Sequence, residues 1–273
     1  MKLYENEIWT NDLDLCLEQL GDLDTLKGKK VLVTGATGLI CSAVIFIIGR
    51  FNDNLIASGG SASDKIQVLA ACRSKDKLDK MFGRYVESND VVFVPYDATK
   101  KPEFDFEAEY IIHGASNAHP AKIMSEPVET MMSNFMGLKW LFDYAAEKGT
   151  KRILYISSSE VYGQKVGPEP FKEEEYGFID LLNPRNSYSV GKRAAETLAA
   201  SYFAEHEVEA VIVRPGHIYG PTSSEDDSRI SSDFAYKAAR GEDLVMKSAG
   251  SQIRSYCYVL DCASAMLRIM LTG

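Results

Sequence analysis

A β-branched run that stops on a glycine turn and restarts as an apolar helix constrains this chain more than any other feature. Val31-Leu32-Val33 reads as a buried strand, Thr34-Gly35-Ala36-Thr37-Gly38 as the turn, and residues 39–50 as a helix apolar on most faces. Gly35 permits the tight turn and Gly38 lets backbone approach a ligand, while the helix N-terminus offers unpaired N–H groups and positive dipole. This order of elements suits the pyrophosphate of a dinucleotide, with Gly35, Thr37, Gly38, Leu39 and Ile40 as contacts. The third glycine of the usual pattern is Cys41, a thiol small enough to keep helix and sheet close.

The same alternation continues downstream. Strand cores are expected at residues 66–72, 91–94, 110–112, 152–156 and 210–213, with helices at 75–85, 128–148 and 188–206. Strands separated by helices of this length predict an α/β fold, a Rossmann-type doubly wound parallel sheet covered on both faces. A short helical preface is expected over residues 11–26, and a Gly/Ser-rich loop over 52–64. Residues 164–186, with three prolines and the Lys172-Glu173-Glu174-Glu175 run, read as a solvated loop suited to a lid or substrate-facing insert.

Composition narrows the function classes. The 273 residues are 45% hydrophobic with a net charge of −9, and their 30 Lys and Arg are dispersed, so no basic stripe exists to track nucleic acid. The longest strongly apolar stretch, residues 39–49, is too short to cross ~30 Å of hydrocarbon, and the acidic start lacks a secretion signal. The five cysteines are odd in number and show no CxxC spacing, which reads as reduced thiols of a cytoplasmic protein without membrane partners. His113 and His119 lie far from other ligand types, so they read as structural and no metal site is expected.

Cofactor choice is decided at the end of the second strand, where a carboxylate would bind the adenosine ribose and an Arg a 2′-phosphate. The segment Ala71-Cys72-Arg73-Ser74 has no acid before Asp76, so between NAD and NADP, Arg73 leans toward NADP. Asp97 and Ala98 follow the third strand, where Asp97 could receive the adenine amino group or serve as a turn Asp.

Two further motifs bear chemistry. Tyr188 and Lys192 stand four apart on a predicted helix and share a face, and a nearby ammonium favours phenolate, which suits general-base work. A buried strand over 152–156 runs straight into Ser157-Ser158-Ser159-Glu160, at the strand end where open α/β sheets bind ligands.

Taken in order, TGxxGxx, SSSEVYG and YxxxK resemble the extended short-chain dehydrogenase/reductase superfamily, in its sugar-nucleotide epimerase, dehydratase and decarboxylase branch. Matching pieces also include Ile112-His113-Gly114-Ala115-Ser116, Asn134 and Gly137, the segment from Arg214 to Pro221, and Gly250 to Asp261 with Gln252 and Arg254. The resemblance implies that Gly114, Ala115, Ser116 and Pro215 join the cofactor site. Tyr188 would take a sugar hydroxyl proton, Lys192 would lower its pKa and bind the nicotinamide ribose, so that both also contact the cofactor, and Ser158 would bond the reacting oxygen. Glu160 favours decarboxylase or dehydratase chemistry over plain epimerisation, and Ser159, where many dehydratases carry Asp, fits UDP-glucuronate decarboxylases and GDP-mannose-type dehydratases. Arg254 would hold the substrate diphosphate or lie near a sugar carboxylate. His217 stands where most relatives have Asn, and Ser159 joins it as a substrate contact.

The resemblance also implies a homodimer paired through the helices at 128–148 and 188–206. It divides the chain into an extension (1–28), a dinucleotide unit (29–165, completed by 186–216 and about 254–271) and a smaller substrate lobe (166–185 and 217–253). That lobe is expected to be shortened, because the chain stops at Thr272-Gly273 where relatives continue. The alternatives are a ketone or aldehyde reductase of the same superfamily and a non-catalytic NAD(P)-binding regulator.

Overall fold

The computed structural model describes residues 2–273 apart from 22, 168, 226, 247 and 252. Six parallel strands form one sheet in the order β3-β2-β1-β4-β5-β6: β1 (Lys30–Thr34), β2 (Gln67–Cys72), β3 (Val91–Pro95), β4 (Tyr110–His113), β5 (Arg152–Ile156) and β6 (Ala210–Val213). The order reverses between β1 and β4, which opens a crevice beyond their carboxyl ends. Alternate residues of each strand point to opposite faces, so β1 sends Val31 and Val33 into one core and Leu32 into the other.

The first core is covered by α1 (Glu7–Leu20), α2 (Leu39–Ala57), α3 (Lys75–Glu87) and α8 (Val259–Thr272). The second is covered by α5 (Pro127–Lys148), which follows the short α4 (Pro120–Ser125), and by α6 (Ser187–His206). Two three-residue strands, β7 (His217–Tyr219) and β8 (Tyr256–Tyr258), pair in parallel beside the crevice, with α7 (Ile230–Arg240) between them in sequence. Among its described residues the expected insert carries a bridge between Gln164 and Phe178 and a 3₁₀ turn over Pro184–Asn186.

Two helices differ from expectation. The preface helix starts at Glu7, because Asn6 caps it by accepting from the Trp9 N–H at 3.0 Å. It is fastened to the core by the edge-on Trp9–Phe46 contact at 5.7 Å, a two-point Arg50–Asp14 bond and the Tyr258 hydroxyl on Asp12 at 2.7 Å. Helix α2 continues to Ala57 through the region expected as a loop. Asn52 permits this: its buried amide bonds both backbone groups of Ile66, at 2.8 and 2.9 Å. At 19 residues α2 is also long and apolar enough to cross a bilayer, contrary to the shorter stretch expected, but its side chains from Cys41 to Ile48 are buried against the sheet, as in a core helix.

His113 stands at the end of β4, fully inside, with Nδ1 2.7 Å from the Thr34 hydroxyl and its ring stacked on Tyr155. Burial, with the Lys192 charge adding to it, pushes its pKa down to about 3. The folded value lies below the unfolded one of ~6.5, so the unfolded chain takes up a proton that the folded chain refuses. Stability is therefore complete above pH ~6.5 and falls as pH drops toward 3, by about 1.4 kcal/mol per unit from this group. His113→Gln, which keeps the hydrogen-bonding capacity and removes the titration, should flatten the urea midpoint between pH 7 and 5. Removing the central ring by Phe46→Ala should cost about 3–5 kcal/mol in the same assay.

Candidate active site

The glycine turn is built by close backbone approach. Gly35 adopts φ +71°, and a Cβ there would lie 2.8 Å from the Ala115 nitrogen and 2.9 Å from the Gly114 carbonyl. Gly38 caps α2 with no side chain closing its N-terminus, while Thr37, Leu39 and Ile40 are half-buried around it. A dinucleotide pyrophosphate fits these amides and this dipole. Cys41 packs where the third glycine would lie: its thiol bonds the Thr34 carbonyl at 3.4 Å and burial pushes its pKa up to about 12. It sits 2.4 Å from where a Cβ on Gly114 would be, so Gly114 makes the room. The Thr222 hydroxyl, which sequence reasoning did not single out, ties the far wall to α2 through the Leu39 carbonyl at 2.7 Å.

On the adenosine side, exposed Arg73 lines a cavity of about 560 Å³ with Tyr96, Asp97, Lys100, Lys101 and Glu103. The Tyr96 hydroxyl is buried there without a partner. Asp97 accepts from the Thr99 N–H at 3.0 Å and its hydroxyl at 2.8 Å, bonds that hold its carboxyl below the usual range. It therefore serves as a turn Asp, whose second oxygen has no bond to Thr99. Ala98 lies against α5, since a Cβ on Gly137 would meet its carbonyl at 3.0 Å. Ser116 is half-buried past β4 with no partner for its hydroxyl.

The reactive groups gather beyond β5. Ser158 caps a 3₁₀ turn, accepting from the Glu160 N–H at 3.2 Å, and it lies near enough to Tyr188 to act on its pKa. Ser159 donates its N–H to the Pro215 carbonyl at 2.9 Å, which brings the serine run against the Arg214–Pro221 segment. Glu160 accepts from the Ser189 hydroxyl at 3.0 Å and faces Arg185 through both carboxylate oxygens at 3.3 Å.

Lys192 lies beneath Tyr188 and is held by backbone. Its ammonium is buried and donates to the Ile156 carbonyl at 2.6 Å, lying 5.7 Å from the Tyr188 ring centroid, beneath the ring and not on the hydroxyl. Burial lowers its pKa to about 7. Tyr188 is pushed up to about 12 by burial, with Glu160 adding to the rise and Ser158, Arg185 and Arg229 opposing it. Burial is the leading cause of both shifts.

The opposite wall comes from β7 and β8. His217 and Arg254 are both exposed and meet at 2.7 Å, and burial with the Arg254 and Arg229 charges lowers the His217 pKa. Next to them an apolar cavity of about 510 Å³ is lined by Tyr219, Ile230, Ser231, Phe234 and Tyr256. Gln252 of the Gly250–Asp261 segment lies outside the described residues. Arg214 is turned away, forked onto buried Glu196 at 2.7 and 3.0 Å, and is structural. His119 bonds the Ser228 hydroxyl at 3.1 Å. Among the described residues no three His, Cys, Asp or Glu side chains cluster as a metal site.

Arg185, Ser189 and Arg229 were missed in the sequence. Arg185 and Ser189 flank the Tyr188 motif at positions where a partner for Glu160 could have been sought. Nothing local marked Arg229, because its place depends on the β7–α7 connection.

Among curated proteins, UDP-glucuronic acid decarboxylase 6 of Arabidopsis thaliana is 34% identical over 245 residues, covering 88% of this chain and 66% of that protein. UDP-glucuronic acid decarboxylase 1 of Xenopus tropicalis is 35% identical over 247 residues, covering 89% and 53%. The chain thus spans between about half and two thirds of these relatives' length. Among solved structures, UDP-N-acetylglucosamine 4-epimerase from Methanobrevibacter ruminantium superposes with a TM-score of 0.73 at 23% identity, over 90% of this chain and 74% of that one. UDP-glucuronic acid 4-epimerase from Bacillus cereus, solved with NAD, gives 0.63 at 20% identity, over 86% and 70%. Both share the fold. A family profile described as the NAD dependent epimerase/dehydratase family matches residues 31–273, and with the glycine turn, the serine run and the Tyr188/Lys192 helix in their places, the chain belongs to that family.

Proposed function

We propose that this chain is an NAD(P)-dependent enzyme acting on a sugar nucleotide through a transient keto-sugar, with decarboxylation of a UDP-glucuronate-type substrate favoured over dehydration or plain epimerisation. The observation that carries this reading is the convergence of Ser158, Glu160 and Tyr188 beyond the end of β5, with the Glu160 carboxylate held there by the Ser189 hydroxyl at 3.0 Å and facing Arg185 at 3.3 Å. The curated relatives' names support the decarboxylase branch.

A nicotinamide held at the crevice supplies the hydride acceptor and, later, the donor. Tyr188 takes the proton of a sugar hydroxyl, and Ser158 donates to the same oxygen as it becomes a carbonyl. Lys192, once protonated, places its charge beneath the Tyr188 ring and steadies the phenolate. A ketone beta to a carboxylate lets the carbon–carbon bond break: carbon dioxide leaves, the electron pair becomes an enolate, and a proton returns to that carbon. Glu160 is the nearby carboxylate that can move this proton. Arg254 and His217 hold the diphosphate, with Ser159 on the same rim.

Arg73, at the open edge of a cavity that also presents Lys100 and Lys101, supports NADP as the preferred form. In this reading residues 29–165, 186–216 and 254–271 carry the cofactor, and 166–185 with 217–253 carry the substrate. Exposed Val128 and Met132 on α5 and Phe203 on α6 support pairing of two copies through these helices. The five free cysteines suit the reducing cytoplasm.

Tyr188→Phe should lower turnover of UDP-glucuronate by about 10²–10⁴-fold, read as loss of carbon dioxide and of the pentose product by mass spectrometry. Unchanged turnover would refute the role. Arg73→Ala should weaken NADP binding by about 10–100-fold and leave NAD binding nearly unchanged in a fluorescence titration, because one charge-assisted contact is lost.

A further inference from the structure

Resting on that reading, we propose that Arg185 is a specificity-determining residue that recognises a carboxylate on the sugar, and that Glu160 holds its place until substrate arrives. The geometry of the pair is the starting point. Arg185 faces Glu160 with two nitrogens on two oxygens, both at 3.3 Å, and the side chains are 36% and 41% exposed. Structural forks in the same chain close more tightly: Arg214 reaches Glu196 at 2.7 Å with both partners largely covered, and Arg152 reaches Glu209 at 2.7 Å. Charge-assisted N–H···O bonds settle near 2.7–2.9 Å, so the Arg185 pair is loosely closed and open to exchange.

Its location fits the exchange. Arg185 sits three residues before Tyr188, in the 3₁₀ turn that leads into α6, and Asn183 fixes that turn by accepting the Arg185 N–H at 3.0 Å. Both Arg185 and Glu160 act electrostatically on the Tyr188 hydroxyl, and Glu160 acts on His217 across the crevice. A carboxylate on the ring carbon next to the one being oxidised must lie within a few ångströms of the Tyr188 hydroxyl. A second carboxylate arriving there meets the Glu160 charge unless a cation is shared between them or handed over. Glu160 keeps the Ser189 hydroxyl at 3.0 Å, so it retains one anchor when the guanidinium turns to substrate. A planar fork matches either carboxylate.

The test is calorimetric binding of UDP, UDP-glucose and UDP-glucuronate to the full chain, as wild type, Arg185→Gln and Arg185→Lys. Wild type should bind UDP-glucuronate at least about tenfold more tightly than UDP-glucose. Arg185→Gln should reduce that ratio to about one with UDP affinity unchanged, and Arg185→Lys should restore part of it. A ratio that survives in Arg185→Gln, or equal affinity of wild type for the two sugars, would overturn the role of Arg185 and leave the proposed function standing. Failure of wild type to bind any of the three ligands would overturn both.

Discussion

Burying a parallel sheet on both faces is the constraint on which the rest of this structure depends. With helices above and below, the strands have no wet face, and polar chemistry is confined to the ends where backbone groups run out of partners. All six strands point the same way, so one edge of the sheet collects the glycine turn after β1, Ser116 after β4 and the serine run after β5. The reversal of strand order between β1 and β4 then parts the covering helices above that edge. Position along the chain is thereby converted into proximity: Thr34 and His113 meet at 2.7 Å because their strands are neighbours at the reversal.

The same burial governs the reactive pair. An ammonium on the Ile156 carbonyl and a phenol under α6 are both driven toward their neutral forms, in opposite directions on the pH scale. The neighbouring ion pair works against this on one side only, since the Arg185 charge favours phenolate and the Glu160 charge opposes it. Whatever rearranges those two charges also resets the proton affinity of the group between them.

Buried strands were legible in the sequence because short runs rich in Val, Leu and Ile and bounded by turns leave few alternatives. The glycine turn was legible for the same reason, and so was the sharing of one helix by Tyr188 and Lys192. The second half of α2 was not legible, because Asn52 looks like a loop residue until its amide is seen to bond the backbone of Ile66, a partner fixed only by tertiary structure. β7 and β8 were also missed, since three residues are too few to show a period. Lys192 shares the Tyr188 side of the helix as expected, and its backbone acceptor was not legible. Helical spacing put it on the Tyr188 face, and only the packing of β5 under α6 supplied the nearer acceptor at Ile156. Arg185 and Arg229 become part of the site through loops, whose course local sequence does not set.

Cys41 and Gly114 show what such packing implies for change over time. The thiol on α2 occupies the space that a side chain after β4 would need, with 2.4 Å between the sulfur and the missing carbon. The two positions therefore share a single allotment of volume at the floor of the cofactor crevice. A larger residue at one is admissible only beside a smaller residue at the other. Shrinking Cys41 would lift the tightest of these contacts, and the end of the Ile156 side chain, 3.1 Å from the same point, would become the next limit on a side chain at position 114.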